Sequence, residues 1–164
     1  MNTKRLSILL QDSDAIMNKY IKSLIKYVVL FLFGGTVYYM TEMVWRGYSH
    51  WTMFLLGGIC FVSVGLINNV FPWTMRIELQ AAIGAALITL LELIVGLIVN
   101  VKLGWAVWDY SDIPFNFLGQ ICPPFTIIWY VLSFGIIFLD DQIRYMFFDE
   151  REPTYISILS KNYY

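Results

Sequence analysis

Leu79–Val101 reads LQAAIGAALITLLELIVGLIVNV and holds one charged side chain, Glu92. Crossing a hydrocarbon core of about 30 Å takes about 20 apolar residues in a helix. A helix that is apolar on every face is a core helix or a membrane span. Working outward from this stretch, Tyr27–Trp45, Trp51–Phe71 and Phe117–Leu139 have the same character. The gaps are short except for the aromatic segment Lys102–Asn116. Composition agrees: only 14% of residues are charged, against about 25% in soluble domains. The sequence therefore predicts an all-α fold, an integral membrane bundle of four transmembrane helices over residues 27–139 (27–45, 51–71, 79–101 and 117–139).

The flanks are read separately. Residues 1–26 alternate Leu6, Leu9, Leu10, Ile16, Met17, Ile21, Leu24 and Ile25 with lysines and acids. That pattern predicts an N-terminal amphipathic interfacial helix on the cytoplasmic leaflet. The first span is too long, and lacks the small-x-small site, for a cleaved signal peptide. Residues 140–164 are a mixed, polar cytoplasmic tail. Pro123-Pro124 suits the first turn of a helix and disrupts an interior, so the fourth regular helix is expected to start near Pro123, with Phe117–Cys122 as an entry segment.

Lys and Arg counts give an orientation. Lys4, Arg5, Lys19, Lys22, Lys26, Arg76, Arg144, Arg151 and Lys161 fall on one side, and Arg46 and Lys102 on the other. Nine against two places both termini in the cytoplasm of a multi-pass plasma-membrane protein. A net charge of −1 speaks against nucleic-acid binding, which needs a basic surface.

The residues most able to carry chemistry are carboxylates inside spans. Glu42 lies roughly 22 Å along its helix from Tyr27, and Glu92 roughly 20 Å from Leu79. Both helices run the same way, so the two sit at similar depth. Charge there is costly and normally faces the bundle interior. Arg46 follows Glu42 by four residues in the favourable order, and His50 is within reach. Glu92 has no cation at i±3 or i±4; it needs Arg46 across a contact between the first and third spans, a partner elsewhere, or a proton. Asn100, Asp109 and Gln120 fall on the same side. A stripe of Ala82, Ala85, Thr89, Glu92, Gly96 and Asn100 runs down the third span, and Gly34-Gly35 and Gly57-Gly58 offer close approach elsewhere.

Trp45, Trp51, Trp105 and Trp108, with Tyr48 and Tyr110, cluster at the outer ends. They form either an interfacial aromatic belt or the lining of a site. Cys60 and Cys122 lack metal-like spacing and read as buried thiols. No nucleophile–base pair, metal cluster or cofactor motif stands out. The sequence holds no G-x-x-x-x-G-K-[ST] motif, so it is not expected to hydrolyse ATP or to be an enzyme.

The stretch Glu42–Met53 (EMVWRGYSHWTM) with Gly57-Gly58 resembles the bacterial family of type IV ABC-transporter membrane proteins. So do Glu92, Gly96, Asn100, Gly104-Trp105, the run Trp108-Asp109-Tyr110-Ser111, Pro114, Asn116 and Gly119-Gln120-Ile121-Cys122. Small four-span animal membrane proteins are similar too. The resemblance covers roughly Phe33 to Asp140, and Pro123-Pro124 departs from it. It implies a transport-linked role without naming a substrate.

Three functions compete. The first is a permease-like or transport-associated subunit, with an outward-facing binding or gating site of Glu42, Arg46, His50, Glu92, Asn100, Trp105, Trp108, Asp109, Tyr110 and Gln120. The second is a non-transporting scaffold or regulator of another membrane protein. The third is a small intramembrane enzyme on a lipid or cell-wall precursor, with Glu92 and Asp109 as acid and base. The expected partners are the lipid bilayer and either a separate ATPase subunit or another membrane protein; self-association is a further option.

Overall fold

The structure is a computed structural model that describes residues 3–157, with side chains from Ile16 onward. Its long regular elements, among the described residues, are helices. Among the described residues, β pairing amounts to two isolated bridges, Arg76 with Ile156 and Phe117 with Ile121.

Helix α1 spans Thr3–Arg46. Gly47 takes φ +77° and returns its N–H to the Met43 carbonyl at 3.0 Å, a left-handed stop that favours glycine. Helix α2 (Trp51–Gly65) starts at His50, whose side chain accepts from the Thr52 N–H. A short α3 (Ile67–Val70) continues it to Phe71. Helix α4 (Ile77–Gly96) passes into a π-helical turn, Leu97–Lys102. Helix α5 is Pro123–Phe148, with prolines at its first two positions. The four long helices are each apolar enough to cross a membrane.

Two boundaries depart from the sequence expectation. Nothing breaks α1 at Lys26, so the amphipathic segment is the first part of the same helix as the span. Its residues from Ile16 to Ile25 that are large and apolar stand exposed; Leu6, Leu9 and Leu10 lie outside the described side chains. The fourth helix starts at Pro123, as the proline pair indicated, but runs past Leu139 to Phe148. Asp140 and Asp141, one turn and more before that end, are buried and not part of a solvated tail.

Helix α1 packs along α2 and α4 along α5, with α2 touching both α4 and α5. The core lies among α2, α4 and α5: Met53, Leu56, Cys60, Val64, Ala85, Ile88, Trp129 and Ile137. Helices α1 and α2 approach closely because Gly34 and Gly58 leave room for Phe61 and Phe31; a Cβ at either position would clash. On α4, Ala85, Glu92 and Gly96 face inward, whereas Ala82 is exposed. Beyond Phe148 the chain folds back over the end of the bundle. There Ile77 donates to the Ile156 carbonyl at 2.8 Å.

Candidate functional site

The expected residues gather at the end of the bundle that carries the Lys102–Cys122 loop. They form two layers.

The half-open layer begins on the last turn of α1. Arg46 Nη2 meets Glu42 Oε2 at 2.9 Å, and the Ser49 hydroxyl donates to the same oxygen at 2.5 Å. Arg46 Nη1 donates to the Val107 carbonyl at 3.2 Å, and its guanidinium lies 4.9 Å from the Tyr48 ring centre. Arg46 Nε is buried without a hydrogen-bond partner. The side chains are 23% and 13% exposed for Arg46 and Glu42. Just outside, His50 Nδ1 lies 2.8 Å from Thr52 Oγ1. The His50, Trp51 and Trp105 rings contact one another at centroid distances of 5.4–6.0 Å.

The inner layer is buried, and each oxygen of its carboxylate has a donor. Glu92 is 3% exposed. Its Oε1 accepts from the Tyr110 hydroxyl at 2.9 Å and its Oε2 from the Trp129 indole at 3.0 Å. Tyr110 stacks on Phe125 at 4.5 Å, and Tyr38 faces Trp129 at 6.1 Å. Above Glu92, the π turn presents Asn100, which accepts from the Val107 N–H at 2.7 Å and donates to Gln120 at 2.8 Å. Gln120 in turn donates to the Leu118 carbonyl and takes the Trp108 indole N–H on its own carbonyl. A π turn inserts one residue into an α-helix and often marks a functional position. Ala106, Phe115 and Leu118 hold left-handed backbone in the loop, at a cost of roughly 1–3 kcal/mol each that surrounding contacts must offset.

This geometry selects among the alternatives left open at Glu92 and Trp108, and separates Asp109 from the others. Glu92 is not paired with Arg46; helix α1 packs on α2, and phenol and indole donors hold the carboxylate instead. Trp108 does not belong to an aromatic belt, because it is buried against Gln120, whereas Trp45 and Trp51 are exposed. Asp109 stands apart from the buried set, on the exposed loop surface. Its Oδ1 accepts from the hydroxyl and backbone N–H of Ser111 at 2.5 and 2.9 Å, and these bonds hold its carboxyl below the ordinary range.

Sequence reasoning missed Ser49, Trp129 and Tyr38 here, and a whole cluster at the opposite end. There Arg144 Nε meets Asp140 Oδ2 at 2.5 Å, and the two side chains are 3% and 0% exposed. Asn68 donates to Asp141 Oδ2 at 2.7 Å, as does the Tyr155 hydroxyl at 3.0 Å. The spacing Asp140–Arg144 matches that of Glu42–Arg46 and was a usable signal.

Four membrane-length helices around a buried polar network define a multi-pass helical membrane protein. Residues 29–161 match the model of the family described as "Putative ABC-transporter type IV". The chain belongs to that family. Comparisons with curated proteins and with solved structures gave no match.

Proposed function

We propose that this chain is a permease-like, transport-associated membrane subunit, and that Glu42, Arg46 and Ser49 meet a small polar or ionic solute. The observation that carries the reading is the half-open Glu42–Arg46 pair. Arg46 keeps one buried N–H free, beside an aromatic rim of His50, Trp51 and Trp105. A guanidinium with a spare donor suits a carboxylate, phosphate or carbonyl oxygen. Glu92, Asn100, Trp108, Tyr110 and Gln120 form the frame that holds this rim in place, and Asp109 fixes the loop turn above it. The excess of Lys and Arg on the tail side supports cytoplasmic termini and an outward-facing site. The family's description as an ABC transporter supports a driving force supplied by an ATPase subunit.

The test is reconstitution with any ATPase that co-purifies. Glu42→Gln and Ser49→Ala should lower solute-stimulated ATP hydrolysis while the protein stays folded. Wild-type protein that recovers no ATPase and supports no flux would sink the reading. A second reading, a non-transporting scaffold, draws on the closure of the Glu92 layer, where each carboxylate oxygen already has a neutral donor. Under it, Glu92→Gln changes stability and Glu42→Gln changes nothing measurable in transport.

A further inference from the structure

The last span begins deep in the membrane. Helices α4 and α5 run antiparallel, with Gly84 facing Ser133 and the Thr89 hydroxyl 3.2 Å from that of Thr126. Three residues back along α5, Pro123 falls near the level of Glu92. The apolar run of α4 and its π turn continues from Glu92 to Val101, a rise of roughly 13 Å. Counted the other way, Pro123 to Asp140 spans about 25 Å, less than a hydrocarbon core of about 30 Å. The depth that α5 leaves open is filled by the end of the Lys102–Cys122 loop, whose Gln120 lies against Gly96 and bonds Asn100.

Non-helical backbone at that depth must have its polar groups satisfied within the protein. Here each carbonyl from Phe117 to Cys122 accepts a hydrogen bond. The donors are, in order, the Gln120 N–H, the Gln120 side-chain amide, the Tyr110 N–H, the Trp108 indole, the Phe117 N–H and the Thr126 N–H. Asn116 braces the turn, donating to the Ser111 and Ile113 carbonyls and accepting from the Gly119 N–H. The outer face of this segment is apolar. Phe115, Phe117 and Leu118 are 90%, 55% and 61% exposed, and Phe115 and Leu118 hold φ of +61° and +53°. Left-handed backbone is uncommon for bulky residues, and the described residues leave these two side chains largely uncovered.

We propose that residues 113–122 form a re-entrant wedge in the loop-side leaflet, with Phe115, Phe117 and Leu118 seated among phospholipid acyl chains where α5 is absent. Water disfavours three large apolar side chains held outward on a braced turn, and hydrocarbon accepts them. The polar edge of the same loop, Asp109, Ser111 and Asp112, is exposed too, and it faces the aqueous side. Lipid thereby anchors the loop that supplies the Val107 carbonyl to Arg46 and the Tyr110 hydroxyl to Glu92. The wedge is independent of the transport reading.

Cys60 and Cys122 are buried, so a thiol-reactive nitroxide labels an introduced cysteine. Full-length Phe115→Cys, Phe117→Cys and Leu118→Cys proteins are labelled and placed in phosphatidylcholine vesicles. Collision of each label with oxygen, which concentrates in hydrocarbon, is compared with collision with a water-soluble nickel chelate. Val131→Cys, exposed midway along α5, sets the lipid reference, and Asp112→Cys sets the aqueous one. The three loop labels should give an oxygen-to-nickel ratio close to that of Val131→Cys and several-fold above that of Asp112→Cys. Wild-type protein in nanodiscs, which carries no substitution, should leave Phe115 and Phe117 unoxidised by hydroxyl radicals. A ratio at Phe117→Cys and Leu118→Cys equal to that of Asp112→Cys overturns the proposal, as does oxidation of wild-type Phe115. So does shielding of all three labels from both reagents, since a protein chain and not lipid then covers the loop.

Discussion

The two ends of this bundle use the same device in different surroundings. Glu42–Arg46 on α1 and Asp140–Arg144 on α5 are both acid–arginine pairs four residues apart. The first pair keeps partial contact with its surroundings and takes its extra bonds from a loop and a serine. The second is sealed under the tail, with Asn69 at 3.3 Å from Arg144 Nη1 and Glu150 at 3.8 Å. Sequence spacing alone makes them equivalent; burial makes them opposites. Breaking a fully buried pair strands a charge, whereas the Glu42–Arg46 side chains keep 13% and 23% exposure, so breaking that pair strands its charge less completely. The tail-side pair therefore serves cohesion, and the loop-side pair is free to exchange partners.

The largest expected effect tests that contrast directly. Arg144→Ala should destabilise the protein in detergent by about 3–5 kcal/mol, because Asp140 is left buried and uncompensated. Arg46→Ala should cost about 1 kcal/mol or less. Denaturant titration of the two variants checks both, and equal losses would break the comparison.

Next is Glu92. Replacing it with Leu leaves the Tyr110 hydroxyl and the Trp129 indole without an acceptor, at about 1–3 kcal/mol for each. Glu92→Gln keeps one acceptor oxygen and should lose less. Thermal unfolding should rank the three proteins wild type, Gln, Leu; a Leu variant as stable as wild type would mean the inner layer is not the frame described.

A pair of glycine substitutions sharpens the tail side. A Cβ at Gly65 would run into the Asp140 carboxyl group, whereas Gly135 has open space around it. Gly65→Ala should cost about 1–3 kcal/mol. Gly135→Ala should be neutral or gain up to about 1 kcal/mol in helix propensity. The same unfolding titration reads both.

The smallest effect is at the loop. The Ser111 bonds lower the folded pKa of Asp109. Whatever stability they add is present above the unfolded value of about 3.9, and is lost as pH falls through the lower folded one. Between neutral pH and about pH 5 the turn should not change. The protection of the Ser111 amide, its exchange rate set against the intrinsic rate at each pH, should fall below about pH 4, and Asp109→Asn should remove that pH dependence.

Much of the architecture was legible because apolar length is a strong signal: each long helix was visible, and Pro123-Pro124 marked the start of the last one. Gly34 and Gly58 were readable as close-approach positions. What escaped depends on which helix neighbours which. Glu92 bonds Tyr110 and Trp129 because α4 packs on α5 and the loop folds over it. No local spacing encodes that, so Arg46 looked like its natural partner. Trp108 has the composition of a belt residue, and only the fold of the Lys102–Cys122 loop turns its indole inward. Asp140 and Asp141 follow the end of an apolar run, where charge normally meets water. Tertiary cover from Asn68, Tyr155 and the returning tail buries them instead.

One measurement bears most directly on the loop-side pair as the working site. Tagged wild-type, Glu42→Gln and Glu92→Gln proteins are extracted in mild detergent, and co-purifying ATP hydrolysis is measured across a panel of small anionic and zwitterionic solutes. Wild type should show solute-stimulated hydrolysis. Glu42→Gln should lose the stimulation with its melting temperature unchanged, and Glu92→Gln should retain it at a lower melting temperature. Stimulation that survives Glu42→Gln intact, or hydrolysis absent from all three, would contradict it.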